Sequence, residues 1–391
     1  MVMGGVWFLL RYWGTVRRAW KEPMLRVPVL LIESDDWGPP GAGQAAALSR
    51  LGGALRRFRD CEGRPAQMTL GMVLAAPRAA VEPVGWDTAD ALVTVESPEY
   101  SNLRKTLAEY ADCFSPQLHG WMHCHPEAVA RAAARDSGVA ALAARVAEAG
   151  YQVLPRELQS RWADCSRLPC RPVTGAVARR EATREALWFR EKVPGAAPVA
   201  VPPTFVWNAD VEKGWAKGGI RCLVTCGRRH TSRDADGEPA GIDRIFHNGE
   251  CLPSGLRVLV RDVYFEPALG HTVDEALSLI QEHWRLGRPA LIESHRFNFE
   301  GSHADSGIAL LVELLEAVVR VAPGVCFLRS MVLLEYLDDP RMLVRGRARL
   351  GIWARRLWTD RGLRRALLMS GALVWLLAAW LLSLGTERSR P

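Results

Sequence analysis

From about residue 25 to 340 the chain alternates short apolar runs with stretches of helical spacing, and this alternation constrains the fold more than any other feature. The run VPVLLIES (27–34) is continuous and rich in aliphatic residues, as a strand buried on both faces of a parallel sheet should be. AQMTLGMVLA (66–75), GIRCLVTCG (219–227), LRVLVRDV (256–263), PALIES (289–294) and GVCFLRS (324–330) read the same way. Helical spacing predicts helices over 43–59, 126–150, 181–192, 271–286 and 305–321. Strands alternating with helices over about 300 residues predict an α/β fold, and seven or so strands favour a distorted (β/α) barrel over a doubly wound sheet.

In barrels of parallel strands, function collects at the strands' C-terminal ends. Here the first strand runs LLIES into Asp35-Asp36-Trp37, and a late one runs ALIES into His295-Arg296-Phe297. Similar apolar lead-ins thus deliver ionisable groups to one prospective mouth. Adjacent carboxylates at a strand end need a cation or donors nearby, and a divalent metal meets that need if one carboxylate ligates and the other stays free as a base. The segment His119-Gly-Trp-Met-His123-Cys-His125 places three imidazoles within seven residues. Residues at i and i+4 of a helical turn can face one ion, so His119 and His123 are the expected ligands, with His125 a weaker third. A carboxylate and two imidazoles suit zinc or another first-row ion and leave positions open for water and substrate. His295 is placed to protonate a leaving group, and Arg296 and Asn298 beside it are polar groups able to hold a substrate.

An Asp pair closing the first strand, then His-x-x-x-His, then a late-strand His resembles the polysaccharide deacetylase (NodB-homology, carbohydrate esterase) superfamily. The resemblance spans roughly residues 28–330. It implies Asp35 as base, Asp36, His119 and His123 as ligands of a divalent metal, most simply Zn2+, and His295 as general acid. VPPTFVWN (201–208) is similar to the family's substrate-lining motif, which with the strand-end residues makes Trp37, Pro203, Trp207, Asn208, Arg296 and Asn298 the expected substrate contacts. The sequence departs from the family pattern at Glu33-Ser34, at Gly120, and around Val199–Val201, where the arginine that orients the base is missing. Arg296 and Arg261 are the candidates to take its place. The implied activity is removal of N- or O-linked acetyl groups from a glycan, either a glycolipid or an exopolysaccharide precursor. A glycoside hydrolase on a related barrel, and a catalytically degenerate scaffold in polysaccharide assembly, are the rival readings.

Charge is unevenly placed. Residues 341–391 hold 11 of the 50 basic residues and two of the 43 acidic ones, so this tail carries +9 and the rest of the chain −2. Basicity confined to a tail argues against a nucleic-acid partner for the body. The uncharged stretch ALLMSGALVWLLAAWLLSLG (366–385) has the length of a transmembrane helix. With arginines crowded before it, it predicts a C-terminal single-pass anchor in the cell inner membrane, the body facing the cytoplasm and membrane lipid as a partner. Residues 1–24 are expected as an interfacial segment or a helix packed on the domain, 25–340 as the barrel, and 341–365 as a juxtamembrane stretch. Nine cysteines without a CxxC pair predict reduced thiols. The sequence carries no signal of oligomeric state.

Overall fold

The computed structural model describes residues 2–41 and 43–370. Its main sheet has nine strands: β1 (Val29–Trp37), β2 (Met68–Met72), β3 (Phe114–Leu118), β4 (Val199–Ala200), β5 (Cys222–Thr225), β6 (Arg257–Val260), β7 (Val263–Tyr264), β8 (Ala290–His295) and β9 (Cys326–Phe327). Eight lie in the order β6-β5-β4-β3-β2-β1-β8-β7, every pairing is parallel, and β9 lies against the start of β1.

Side-chain alternation explains how the sheet curls. Val29 and Leu31 of β1, Val199 beside Val201, Cys222 and Val224 of β5, Leu259 of β6 and Leu291 of β8 share one buried cluster, although several of these strands are not neighbours. That cluster is the lower interior of the barrel, and Leu333, Leu334 and Leu337 of the helix Ser330–Asp338 belong to it as a floor. The opposite face of the strands packs on six outer helices, Gln44–Leu55, Ser101–Glu109, Gly175–Lys192, Ala209–Lys217, Val273–Arg285 and Ala304–Val321. The barrel is open: among the described residues no ladder joins β6 to β7, and the chain crosses that seam with only Arg261 and Asp262.

Two expected elements differ. The helix predicted over 126–150 is three short ones, Pro126–Ala133, Ser137–Ala144 and Val146–Ala149, because Asp136 caps a new helix by accepting from Gly138 N and Val139 N. Three small antiparallel pairs, including Arg228–Arg233 with Pro239–Ile245, decorate the barrel without a clear sequence signal.

The expected membrane anchor is corrected. Among the described residues no helix is long and apolar enough to cross a membrane. The helix Arg361–Ser370 covers ten residues and carries Arg364 and Arg365, about 15 Å against the roughly 30 Å a span requires. Residues 371–385 of the expected span lie outside the described residues, and the placement in an inner membrane falls with the anchor. Two of the arginines read as juxtamembrane have other partners. Arg356 is buried, donates to Ala19 O and Glu22 O and pairs with Glu22, while Arg349 donates to Trp20 O. They tie the helix Gly346–Thr359 to the N-terminal helix Val2–Lys21, with Val16, Ala354, Leu357 and Leu363 packed between them.

Candidate metal centre and acid–base site

Strands β1 and β8 pair with Leu31 opposite Leu291, Ile32 opposite Ile292, Glu33 opposite Glu293, Ser34 opposite Ser294 and Asp35 opposite His295. The two identical Leu-Ile-Glu-Ser segments therefore lie side by side in register, and Asp35 and His295 emerge at the same height. Odd-numbered residues of both strands face the interior, as Leu31 and Leu291 do, so Glu33, Asp35, Glu293 and His295 all project into the mouth.

Alternation alone would turn Asp36 outward. Instead the register between β1 and β2 shifts between Ser34 and Trp37, and Asp36 adopts φ +70°. This left-handed residue costs on the order of 1–2 kcal/mol, and the bulge re-aims its carboxylate to the inner face beside Asp35. Asp35 itself needs Gly71 of β2 beneath it. A Cβ there would stand 2.2 Å from Asp35 Oδ1 and 3.1 Å from its Cα.

His119 follows β3 and His123 lies four residues on, but in a loop rather than the helical turn expected from their spacing. Gly120, at φ +95°, starts that loop, and a Cβ on it would lie 3.2 Å from Pro203 Cγ. Glu185 pins the loop by accepting from Trp121 N at 3.0 Å. His125 stands apart as the N-cap of the helix Pro126–Ala133, its Nδ1 accepting from Ala128 N.

Asp36, His119 and His123 offer ligand atoms within 4.8 Å of one another. His119 Nε2 and His123 Nε2 lie 3.5 and 3.4 Å from Asp36 Oδ1. Two ligands about 2.1 Å from a common ion at a tetrahedral angle are ~3.4 Å apart, so the spacing fits a first-row cation. His119 Nδ1 is 3.0 Å from Val201 O, which can only accept, so Nδ1 carries a proton and Nε2 is the nitrogen that faces Asp36. Burial pushes His123 down to about 4, against the pull of Asp36. Burial opposes the charge of Asp36, yet His123 and His119 hold its carboxyl well below the usual range. Asp36 Oδ1 is buried and lacks a hydrogen-bond partner, an acceptor that a cation would satisfy.

Asp35 is fully buried, and its Oδ2 takes a charge-assisted hydrogen bond from Arg261 Nη2. Arg261, reaching in from the seam between β6 and β7, also meets Glu33 at 3.4 Å and Glu293 at 3.3 Å and lies 5.0 Å from the centre of the Phe205 ring. Of the two arginines weighed from the sequence, this one meets Asp35. Arg296 donates instead to Gly38 O and Pro40 O and pairs with Glu300. Despite the penalty of burial, Arg261 keeps Asp35 below its usual range, while Glu33, buried deeper, is pushed up to about 7. Asp35 Oδ1 is buried and has no hydrogen-bond partner.

His295 Nδ1 is hydrogen-bonded to the buried carboxylate of Glu266, which also accepts from Asn298 Nδ2. Burial disfavours the imidazolium, but Glu266 and the charges of Asp36 and Asp35 raise His295 to about 9, so it is protonated at neutral pH. Glu266 was not legible in the sequence. It follows β7 by two residues in a segment without motif, and only the pairing of β7 with β8 brings it to His295.

Of the expected substrate contacts, Pro203 is buried against the histidine loop. Asn298 is buried and positions Glu266. Trp37 is buried in the outer core and donates to Ser34 Oγ. Trp207 is buried, stacked on Phe246, and donates to Glu212, and Asn208 caps the helix Ala209–Lys217. Two partly exposed aromatics, one on β7 and one just after β8, were missed. Tyr264, opposite the inward Glu293, is 44% exposed, and Phe297, stacked at 5.9 Å on His295, is 40% exposed.

No protein-family model matches the sequence, and no curated protein matches it. Among solved structures, the chain is similar to a family 4 carbohydrate esterase from Streptomyces lividans in complex with acetate, at 14% identity over 77% of this chain and 92% of that one, TM-score 0.32. It is similar to a candidate polysaccharide deacetylase from Mycobacterium smegmatis, at 14% identity over 83% and 99%, TM-score 0.38. It is also similar to a 4-alpha-glucanotransferase from Thermococcus litoralis, at 9% identity over 79% of this chain and 40% of that one, TM-score 0.39.

Proposed function

We propose that the chain is a metal-dependent hydrolase that removes acetyl groups from a glycan. The observation that carries this reading is the convergence at one mouth of a three-ligand cluster, a buried carboxylate held by arginine, and a histidine held protonated by a second carboxylate. Asp36, His119 and His123 would hold the cation. A first-row divalent ion bound there supplies Lewis acidity, which acidifies an attacking water and polarises an acyl carbonyl. Asp35 accepts the water's proton, and Arg261 holds its carboxylate in place. His295 then gives a proton to the departing amine or alcohol, and Glu266 holds it in the protonated form needed for that step. Phe297, stacked on His295 and 40% exposed, and Tyr264, packed edge-on with His271 and 44% exposed, are the rings suited to the apolar face of a pyranose.

Arg261 beside Asp35 supplies a guanidinium where the arginine around Val199–Val201 is missing, which supports a working site over a degenerate scaffold. The test incubates the purified full chain with Zn2+, Co2+ or Mn2+ and acetylated chito-oligosaccharides or O-acetylated xylan. Acetate released without new reducing ends supports the reading. Reducing ends without acetate would favour a glycoside hydrolase. Asp35→Asn should abolish acetate release while retaining metal.

A further inference from the structure

The nine cysteines show no pairing by spacing, but the fold brings two of them together across 265 residues. Cys61 Sγ and Cys326 Sγ lie 3.4 Å apart, both as free thiols. The approach is built into the backbone. Cys61 sits in a tight turn in which Asp60 N donates to Arg64 O and Gly63 N to Asp60 O. The Asp60 carboxylate gathers the turn by accepting from Glu62 N, Arg64 N and Arg64 Nε. Two further hydrogen bonds straddle Cys326: Cys61 N donates to Val325 O, and Phe327 N donates to the Asp60 carboxylate. The turn is thus laced to both neighbours of Cys326.

Access is one-sided. Cys61 is exposed and Cys326 is 2% exposed. The other close pair, Cys165 and Cys170, is buried at both residues and offers a reagent no entry. Closing 3.4 Å to a bond of about 2.05 Å needs only a small side-chain adjustment.

We propose that Cys61 and Cys326 are a modification site, a thiol pair that forms a disulfide by exchange with a small-molecule disulfide such as oxidised glutathione. Cys61, as thiolate, attacks one sulfur of oxidised glutathione and releases one glutathione thiol, leaving a mixed disulfide on Cys61. Cys326 loses its proton and attacks Cys61 Sγ, releasing the second glutathione. The two cysteines give up two electrons and two protons, and one oxidised glutathione becomes two thiols. Burial pushes the Cys326 thiol up to about 12, which makes Cys61 the point of entry.

The bond joins the turn after the first outer helix to β9, which pairs with Val29 and Leu30 at the start of β1. Asp35 lies six residues along that strand, roughly 20 Å away. Oxidation therefore staples the floor of the barrel and leaves the mouth unchanged, so this inference stands or falls independently of the acetyl-hydrolase reading.

The test treats reduced full-length protein with oxidised glutathione, then counts free thiols, maps peptides without reduction and measures Tm. The expected result is a fall from nine thiols to seven and a peptide pair linking Cys61 to Cys326. Tm should rise by roughly 5–10 °C and return on adding dithiothreitol. Cys61→Ser, at an exposed position, should fold normally and show neither the peptide pair nor the rise. A stable glutathione adduct on Cys61 without the cross-link, or a cross-link elsewhere with none at Cys61, would overturn the proposal.

Discussion

Replacing Arg261 with methionine removes the one guanidinium shared by Asp35, Glu33 and Glu293. The side chains of Arg261, Asp35 and Glu33 are each at most 1% exposed, so water cannot substitute for the lost partner. Removing one member of a buried ion pair costs about 3–5 kcal/mol, a large part of the roughly 5–15 kcal/mol that holds a typical domain. The deficit carries a pH signature. Without Arg261 the carboxyls keep their protons to higher pH in the folded chain than in the unfolded one. Groups with raised folded pKa contribute stability below the unfolded value, about 4, and lose it as pH rises through the folded value. Glu33 already stands at about 7 with Arg261 present, so the window extends from about 4 to beyond 7. Urea unfolding of the parent and Arg261→Met should diverge progressively from pH 4.5 to 8. Adding Asp35→Asn should restore part of the loss, because the two sites are coupled. A deficit below about 1 kcal/mol at pH 7, flat with pH and additive with Asp35→Asn, would refute the buried-clamp account.

Three further outcomes follow from the geometry. Glu266→Gln removes the carboxylate that raises His295 to about 9, so the alkaline limb of acetate release should move to lower pH; an unmoved limb would remove His295 as the acid. Gly71→Ala forces a methyl onto Asp35 and should cut turnover on the order of 100-fold with the far-UV spectrum unchanged, whereas near-normal turnover would show that Asp35 is not held where described. Glu22, buried between Arg288 and Arg356, is lowered to about 2 despite its burial. Its stabilisation, on the order of 3 kcal/mol, is complete above about pH 4.5 and lost as pH falls toward 2. Glu22→Gln should therefore be most destabilised relative to the parent at neutral pH, and a gap independent of pH would contradict the pairing.

The alternation of buried strands with helices was legible because burial on both faces leaves continuous apolar runs, and the matched LIES segments marked the two strands that pair in register. Asp35, Asp36, His119, His123 and His295 were readable as a group because they end strands or fill one short loop. What escaped reading depends on contacts that sequence spacing does not encode. Asp36 faces inward only through a bulge and a positive φ, and the histidines use a loop opened by Gly120 instead of a helical turn. Glu266 reaches His295 through strand pairing. Trp207 and Asn208 sit in a promising motif, yet their side chains serve packing and a helix cap. The 126–150 helix broke at Asp136 because its cap on Gly138 N and Val139 N outweighs continued alanine periodicity.

The central claim is that Asp36, His119 and His123 hold a catalytic cation beside a base that is not a ligand. The most direct test is metal content of the purified full chain after dialysis against trace Zn2+, Co2+ or Mn2+, compared with Asp36→Ala/His119→Ala and with Asp35→Asn. Near-stoichiometric metal in the parent and in Asp35→Asn, lost in the double variant, is the predicted result. A folded parent that binds none of these ions, or a double variant that binds them equally well, would contradict it.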